Sequence, residues 1–186
     1  MIFFIKNTNR NKIGKIKMSK LLFALDFEHF CKTGRAVTGV TYYAWTWGPY
    51  PKDIMERMTE KEFPRDLAKH IAVLPKSIYQ EDETGYLFKV KPNTKLNTRI
   101  FSKRELEIME RWATIFKDST AKEISDWSHE AGSPWHIVWE RENRRFQKID
   151  YTYALDKKSP ISKEEAEELL REEAEYEQAF PTNSEI

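Results

Sequence analysis

Residues 16–34, IKMSKLLFALDFEHFCKTG, place apolar side chains on nearly every side of the helix that their spacing predicts: Ile16, Met18, Leu21, Leu22, Phe23, Leu25, Phe27 and Phe30. A helix apolar all round is stable in water only when other elements surround it, and Gly34 supplies a C-terminal cap. The chain is therefore expected to assemble its core around this segment. Asp26 sits in the middle of it, and a buried carboxylate is costly unless hydrogen-bonded. It needs a partner, for which His29, His129, a tryptophan N–H or a backbone amide are the candidates.

The remaining segments supply what surrounds that helix. MIFFIKNT at the start reads as the end of a helix. TGVTYYAWTWGPYP has the β-branched and aromatic residues of a short strand, broken by an irregular turn at Gly48-Pro49. Short helices are expected near 53–58 and 64–72, and a strand in GYLFKVKPN, with the acidic SIYQEDETG before it as hairpin partner and loop. Ser102 and Glu105 form a capping box ahead of an apolar face of Leu106, Met109, Ala113 and Phe116, widened by Ile108, Trp112 and Ile115. A further helix, capped by Asp118 or Ser119, runs through Ile124 and Trp127 to Gly132, where Ser133-Pro134 starts another through Trp135, Val138 and Trp139. RRFQKIDYTYAL returns as a last strand or irregular segment. Ser162 and Glu165 form a second capping box for a terminal helix with a narrow apolar stripe, Ala166, Leu169, Leu170 and Ala174.

The fold class expected is mainly α with a small antiparallel β-sheet, an α+β arrangement in one compact helical domain. At 186 residues, 40% hydrophobic and 13% aromatic, the chain can bury a real core. No apolar run approaches the length of a membrane span, MIFFI lacks the form of a signal peptide, and a single cysteine, Cys31, excludes an internal disulfide. These features fit a soluble cytoplasmic protein. Net charge is nearly balanced but unevenly spread. From Ser162 onward nine glutamates meet only Lys163 and Arg171, a net −7, which leaves +8 on the first 161 residues. Such a split suits an acidic segment folding over a basic surface, or a basic body with an acidic partner.

EISDWSHEAGSPWHIVWE, residues 123–140, has the look of an active site. It fails as a zinc motif, because the histidine after His129-Glu130 is His136, seven residues on, with Gly132 and Pro134 between. Ser125 and His129 are spaced to touch, but no nucleophile elbow accompanies them. Cys31 and His29 point to opposite sides of a helix. No glycine-rich phosphate loop exists, and no cofactor or metal is expected. Two basic clusters, Lys6, Arg10, Lys12, Lys15, Lys17 and Lys20, then Arg141, Arg144, Arg145 and Lys148, are candidate phosphate contacts.

The order of motifs adds a resemblance. KIKMSKLLFALDFEHFCKTGRAVTGVTYYAWTWGPYPKDIMERM resembles the opening of the Panacea domain, the SocA-like or phage-associated GepA-like domain, with its K-L-x-K-L-L-[YF]-x-x-D helix, G-R-x-[IV]-T-G turn, Y-Y-A-W strand and G-P-[VY]-P. The later S-x-x-E helix and I-S-D-W-S-H-E resemble its second half. The likeness covers residues 1–155 and leaves the acidic segment 156–186 outside. It implies an antitoxin that neutralises a toxin encoded beside it, by direct binding or, in one branch, by delivery to a Clp protease. Own-promoter DNA and a second copy of the chain are further candidate partners. Asp26, His29, Gly48, His129 and Trp135 are read as structural. Trp47, Pro49 and Tyr50 are expected as exposed partner anchors, because Trp and Tyr anchor interfaces. Glu168 and Glu172 belong to the acidic helix, a candidate phosphate mimic against a toxin that acts on RNA. The alternative from another class is a hydrolase built on Asp26 and His129.

Overall fold

The computed structural model describes residues 1–58, 63–75 and 86–180. Helix α2 (Lys15–Thr33) is its axis: twelve of its nineteen residues are buried, on all sides, as its composition requires. It ends as predicted at Gly34, whose φ of 70° is the left-handed cap that glycine adopts without strain. Around it pack α5 (Lys103–Ile115), α6 (Ala121–Ser128), a hairpin and a 3₁₀ turn at Tyr151–Ala154. Helix α1 (Ile2–Asn7) lies against α5, burying Phe3, Phe4 and Ile5.

The fold is α+β, with two separate two-stranded antiparallel sheets among the described residues. Strands β1 (Tyr43–Trp45) and β2 (Gly48–Tyr50) pair as a hairpin in the register Tyr43–Tyr50, Ala44–Pro49 and Trp45–Gly48. The turn is Thr46-Trp47. Gly48 and Pro49, expected to break the strand, are part of it; Pro49 is tolerated because this is a short edge strand. A short helix α3 (Lys52–Met55) follows, then α4 (Arg65–Ala68), which ends earlier than expected because the β-branched residues from Ile71 enter strand β3 (Ile71–Pro75). Strand β3 is the partner of β4 (Tyr86–Val90). The expected partner, 77–85, lies outside the described residues.

In the second half the capping boxes decide the boundaries. Ser102 and Glu105 exchange bonds at the start of α5, and Ser162 and Glu165 do so at the start of α8 (Lys163–Ala179). Helix α6 is capped by Thr120 with Glu123, a third capping box, not by Asp118 or Ser119. Ser133 accepts from the His136 amide and Pro134 follows it, starting α7 (Pro134–His136), which runs on as a π turn over Ile137–Arg141. On α5, Ile115 turns outward, 55% exposed. Glu28 of α2 ties the two helices by accepting from the Trp112 indole at 2.8 Å and pairing with Arg111.

The terminal helix docks by its first two turns. Ala166 is fully buried and Leu169 and Leu170 are half-buried, whereas Ala174, Tyr176 and Phe180 are exposed. The seat is Gly34: a Cβ built there would lie 2.6 Å from Leu169 Cδ1 and 3.1 Å from Ile161 Cδ1. One residue thus ends α2 and receives α8. Gly34→Ala is expected to cost about 1–2 kcal/mol through the left-handed backbone alone, and to loosen α8 selectively. Amide hydrogen exchange across 163–170 should accelerate more than across α5; equal protection in both helices would contradict the seat.

Candidate functional site

Asp26 organises the approach to the hairpin. Its Oδ1 accepts from the backbone amides of Val37 at 2.9 Å and Thr38 at 2.7 Å, and its Oδ2 accepts from the Thr38 hydroxyl at 2.5 Å and the Tyr42 hydroxyl at 2.7 Å. An ionised carboxylate offers about four lone-pair sites, and all are filled. Burial raises its pKa, and the four donors oppose that rise. Of the partners expected, the backbone amide is correct; neither His29 nor His129 bonds to it. His29 accepts from Thr33 or meets the Arg35 carbonyl, 2.7 Å from its Nδ1, at the end of α2. A base role for Asp26 would require breaking bonds that hold the loop 35–42 in place.

Lys20 lies directly beneath the hairpin. It is 1% exposed, and its Nζ donates to the Pro49 carbonyl at 2.9 Å. Burial pushes its pKa down to about 7. Gly48, with φ of 96°, lets β2 approach: a Cβ there would meet Ser128 Oγ at 2.5 Å and Lys20 Cε at 2.8 Å. Lys17 is buried one turn earlier and donates to the carbonyls of Lys117 and Ser119 at 3.0 and 2.8 Å, between α5 and α6. Lys6 and Lys12 likewise reach the carbonyls of Thr94 and Asp118. Four members of the first basic cluster thus donate to backbone carbonyls of this chain, and two of them, Lys17 and Lys20, are buried. The second cluster remains exposed, with Arg145 over the Trp139 ring and Arg144 paired to Glu142.

From α6 to the hairpin runs a continuous series of aromatic rings. His129 stacks on Trp135 with centroids 3.9 Å apart, Trp135 on Trp139 at 5.4 Å, Trp139 meets Phe146 edge-on at 5.2 Å, and Phe146 meets Trp45 edge-on at 5.0 Å. Tyr50 completes it at 6.1 Å from Trp45. Each contact is worth about 0.5–1.5 kcal/mol beyond burial. The Trp135 indole donates to the Trp45 carbonyl at 2.8 Å, fixing the hairpin to α7. His129 is not the hydrogen-bonding peg expected: its Nε2 is buried without a partner, and burial with the nearby Lys20 charge lowers its pKa, so it stacks as a neutral ring.

Of the expected anchors, Trp47 is 50% exposed at the hairpin tip and Tyr50 is half-buried. Pro49 is buried, because its carbonyl must face Lys20, so it is not the exposed anchor expected. Glu168 and Glu172 are exposed on α8, some distance along the chain from that surface. Sequence reasoning missed Phe146, which is half-exposed with φ of 62°, a left-handed conformation uncommon for a bulky side chain. Its amide donates to the Ala44 carbonyl, so the β1 edge holds it there. Strain at an exposed aromatic is a mark of functional surfaces.

A family model described as antitoxin SocA-like, Panacea domain, matches residues 18–136, well over half of the chain. No curated protein and no solved structure matches it.

The buried charges set two expectations. Asp26→Ala strands four donors and is expected to cost about 3 kcal/mol or more in urea unfolding; a loss below about 1 kcal/mol would mean that the loop holds without it. Folding lowers the pKa of Lys20 from 10.5 to about 7, so between those values the unfolded chain binds more protons and stability rises with pH. The rise between pH 7 and about pH 9.5 should shrink in Lys20→Met, and an unchanged profile would contradict this assignment.

Proposed function

Since the chain belongs to the antitoxin SocA-like, Panacea-domain family, we propose that it is an antitoxin that neutralises a cognate toxin by direct binding through the β1–β2 hairpin. The observation that carries this reading is Trp47, half-exposed at the tip of a hairpin whose base is held by the Asp26 bonds, the Lys20 bond and the Trp135 bond. An anchor that is rigid before binding loses little entropy on association, and tryptophan is the residue most often found at such positions. Phe146, on the same run of rings, extends the surface. Proteins of this kind act by occupying a partner, and the reading is of a binding protein rather than an enzyme.

The terminal segment, 156–186, is proposed as a second contact. Its docked first turns leave Glu168 and Glu172 exposed, and further out Tyr176 and Phe180 are 67% and 64% exposed with rings 5.0 Å apart. An acidic helix ending in exposed aromatics suits a basic, partly apolar groove such as an RNA-acting toxin would carry.

Co-expression with the toxin encoded by the adjacent gene tests both surfaces. Trp47→Ala is expected to weaken the complex by about 2 kcal/mol, roughly 30-fold in Kd. A chain ending at Asp156 should neutralise less well; full rescue by it would remove the terminal helix from the interface. Toxin that vanishes only when a Clp protease is present would replace masking by proteolytic delivery.

A further inference from the structure

A cavity of about 300 Å³ opens beside the hairpin, walled by Trp45, Trp47 and Tyr50 on one side and by Lys15, Lys20 and Glu56 on the other. Lys20, 1% exposed, and Trp47, 50% exposed, are both among its lining residues. An ammonium group has three donors, and Lys20 uses one, on the Pro49 carbonyl. Among the described residues no carboxylate lies within salt-bridge distance of it. Burial without a counter-ion disfavours the ammonium form of Lys20, and an anion bound in the adjoining space would favour that form again.

The surroundings define what that ligand must be. Helix α2 begins at Lys15 with no side-chain cap and no acidic residue in its first turn, so the positive end of its dipole adds to the field of the two lysines. Glu56 on the rim subtracts one charge, leaving the pocket suited to a monoanion rather than a phosphate dianion. Tyr50, whose burial pushes its pKa up to about 12, stays neutral and offers a hydroxyl and a ring face. Three aromatic walls favour a flat or aliphatic body behind the charge.

We propose that this cavity is a carboxylate-binding site, which takes a single carboxylate on an apolar stem, with Lys20 as its cation and Trp45, Trp47 and Tyr50 gripping the stem. The acid is either a free small molecule or an acidic side chain of the partner. Only the second source rests on the hairpin reading above. If the partner supplies it, the toxin inserts an Asp or Glu beside Trp47, and the exposed anchor and the buried cation are two parts of one contact.

Two-dimensional NMR of the Trp45 and Trp47 indole resonances in the full chain, titrated with 3-phenylpropionate and with its neutral counterpart 3-phenylpropanol, tests the site without any toxin. The acid is expected to bind about tenfold more tightly than the alcohol, the equivalent of one charge-assisted hydrogen bond. Trp47→Ala, an exposed change that leaves the core intact, should weaken binding of both. Lys20→Met, where it folds, should reduce the acid to the level of the alcohol. Equal binding of acid and alcohol, or no shift of either indole up to the solubility limit, would overturn the proposal. Adding the acid to the purified toxin complex separates the sources: displacement assigns the carboxylate to the toxin, and binding without displacement assigns it to a small molecule. Toxin binding that depends on Trp47 while the acid fails to bind would remove the carboxylate site and leave the antitoxin reading intact.

Discussion

The structure depends on one buried carboxylate. Asp26 faces the inner wall of the loop that follows α2 and satisfies two amides and two hydroxyls there, from Val37, Thr38 and Tyr42. Only at its end does the loop gain backbone pairing, where the Tyr42 carbonyl accepts from the Ile149 amide at 2.8 Å. Without that anion the chain from Gly34 to Tyr42 would have four donors pointing at a vacant acceptor in the core, and Tyr42 would no longer lead straight into β1. Tyr42 also meets Phe23, Phe27 and Tyr151 through its ring, so one bond sets both the hydrogen-bonding and the aromatic packing of the region. The cost of burying a charge is offset by the number of groups it orders at once.

Two lysines on the same helix perform the complementary task. Carbonyls left unpaired near helix ends and short strand edges need donors, and a lysine can reach one through an apolar stem that itself packs in the core. Lys17 serves the carbonyls of Lys117 and Ser119 between α5 and α6, and Lys20 serves Pro49 in β2. Helix α2 is thus more than the apolar axis. It carries an anion for the donors on one side and cations for the acceptors on the other, and the elements around it are placed by those bonds as much as by burial.

Much of this is legible in the sequence where the cause is local. The apolar circumference of α2, its glycine stop, the Ser102–Glu105 and Ser162–Glu165 boxes and the Ser133-Pro134 start are all determined within a few residues, and they appear where expected. The features that escape such reading depend on contacts between distant segments. A lysine in a basic stretch looks solvated until the carbonyl it serves, 29 residues away for Lys20 and about 100 for Lys17, is brought to it. Pro49 looks like a turn residue until its carbonyl is seen to be an acceptor. Phe146, amid exposed polar residues, gives no local sign of the left-handed backbone that the β1 edge imposes on it. His129 is a natural partner for Asp26 by residue type, yet the loop fills the carboxylate and leaves the imidazole to the tryptophans.

The way α8 is attached bears on how such a chain can change over time. Among its described residues those buried or half-buried against the body are Ile161, Ala166, Leu169 and Leu170, a latch about two turns long, and Ala174, Tyr176 and Phe180 beyond it are exposed. The latch needs a small residue opposite Gly34 and a branched one beside it, and it makes no demand on the more distal residues. The outer arm can therefore be lengthened, recharged or exchanged for another sequence without disturbing the core. Interior chemistry and appendage are thus free to vary independently of each other.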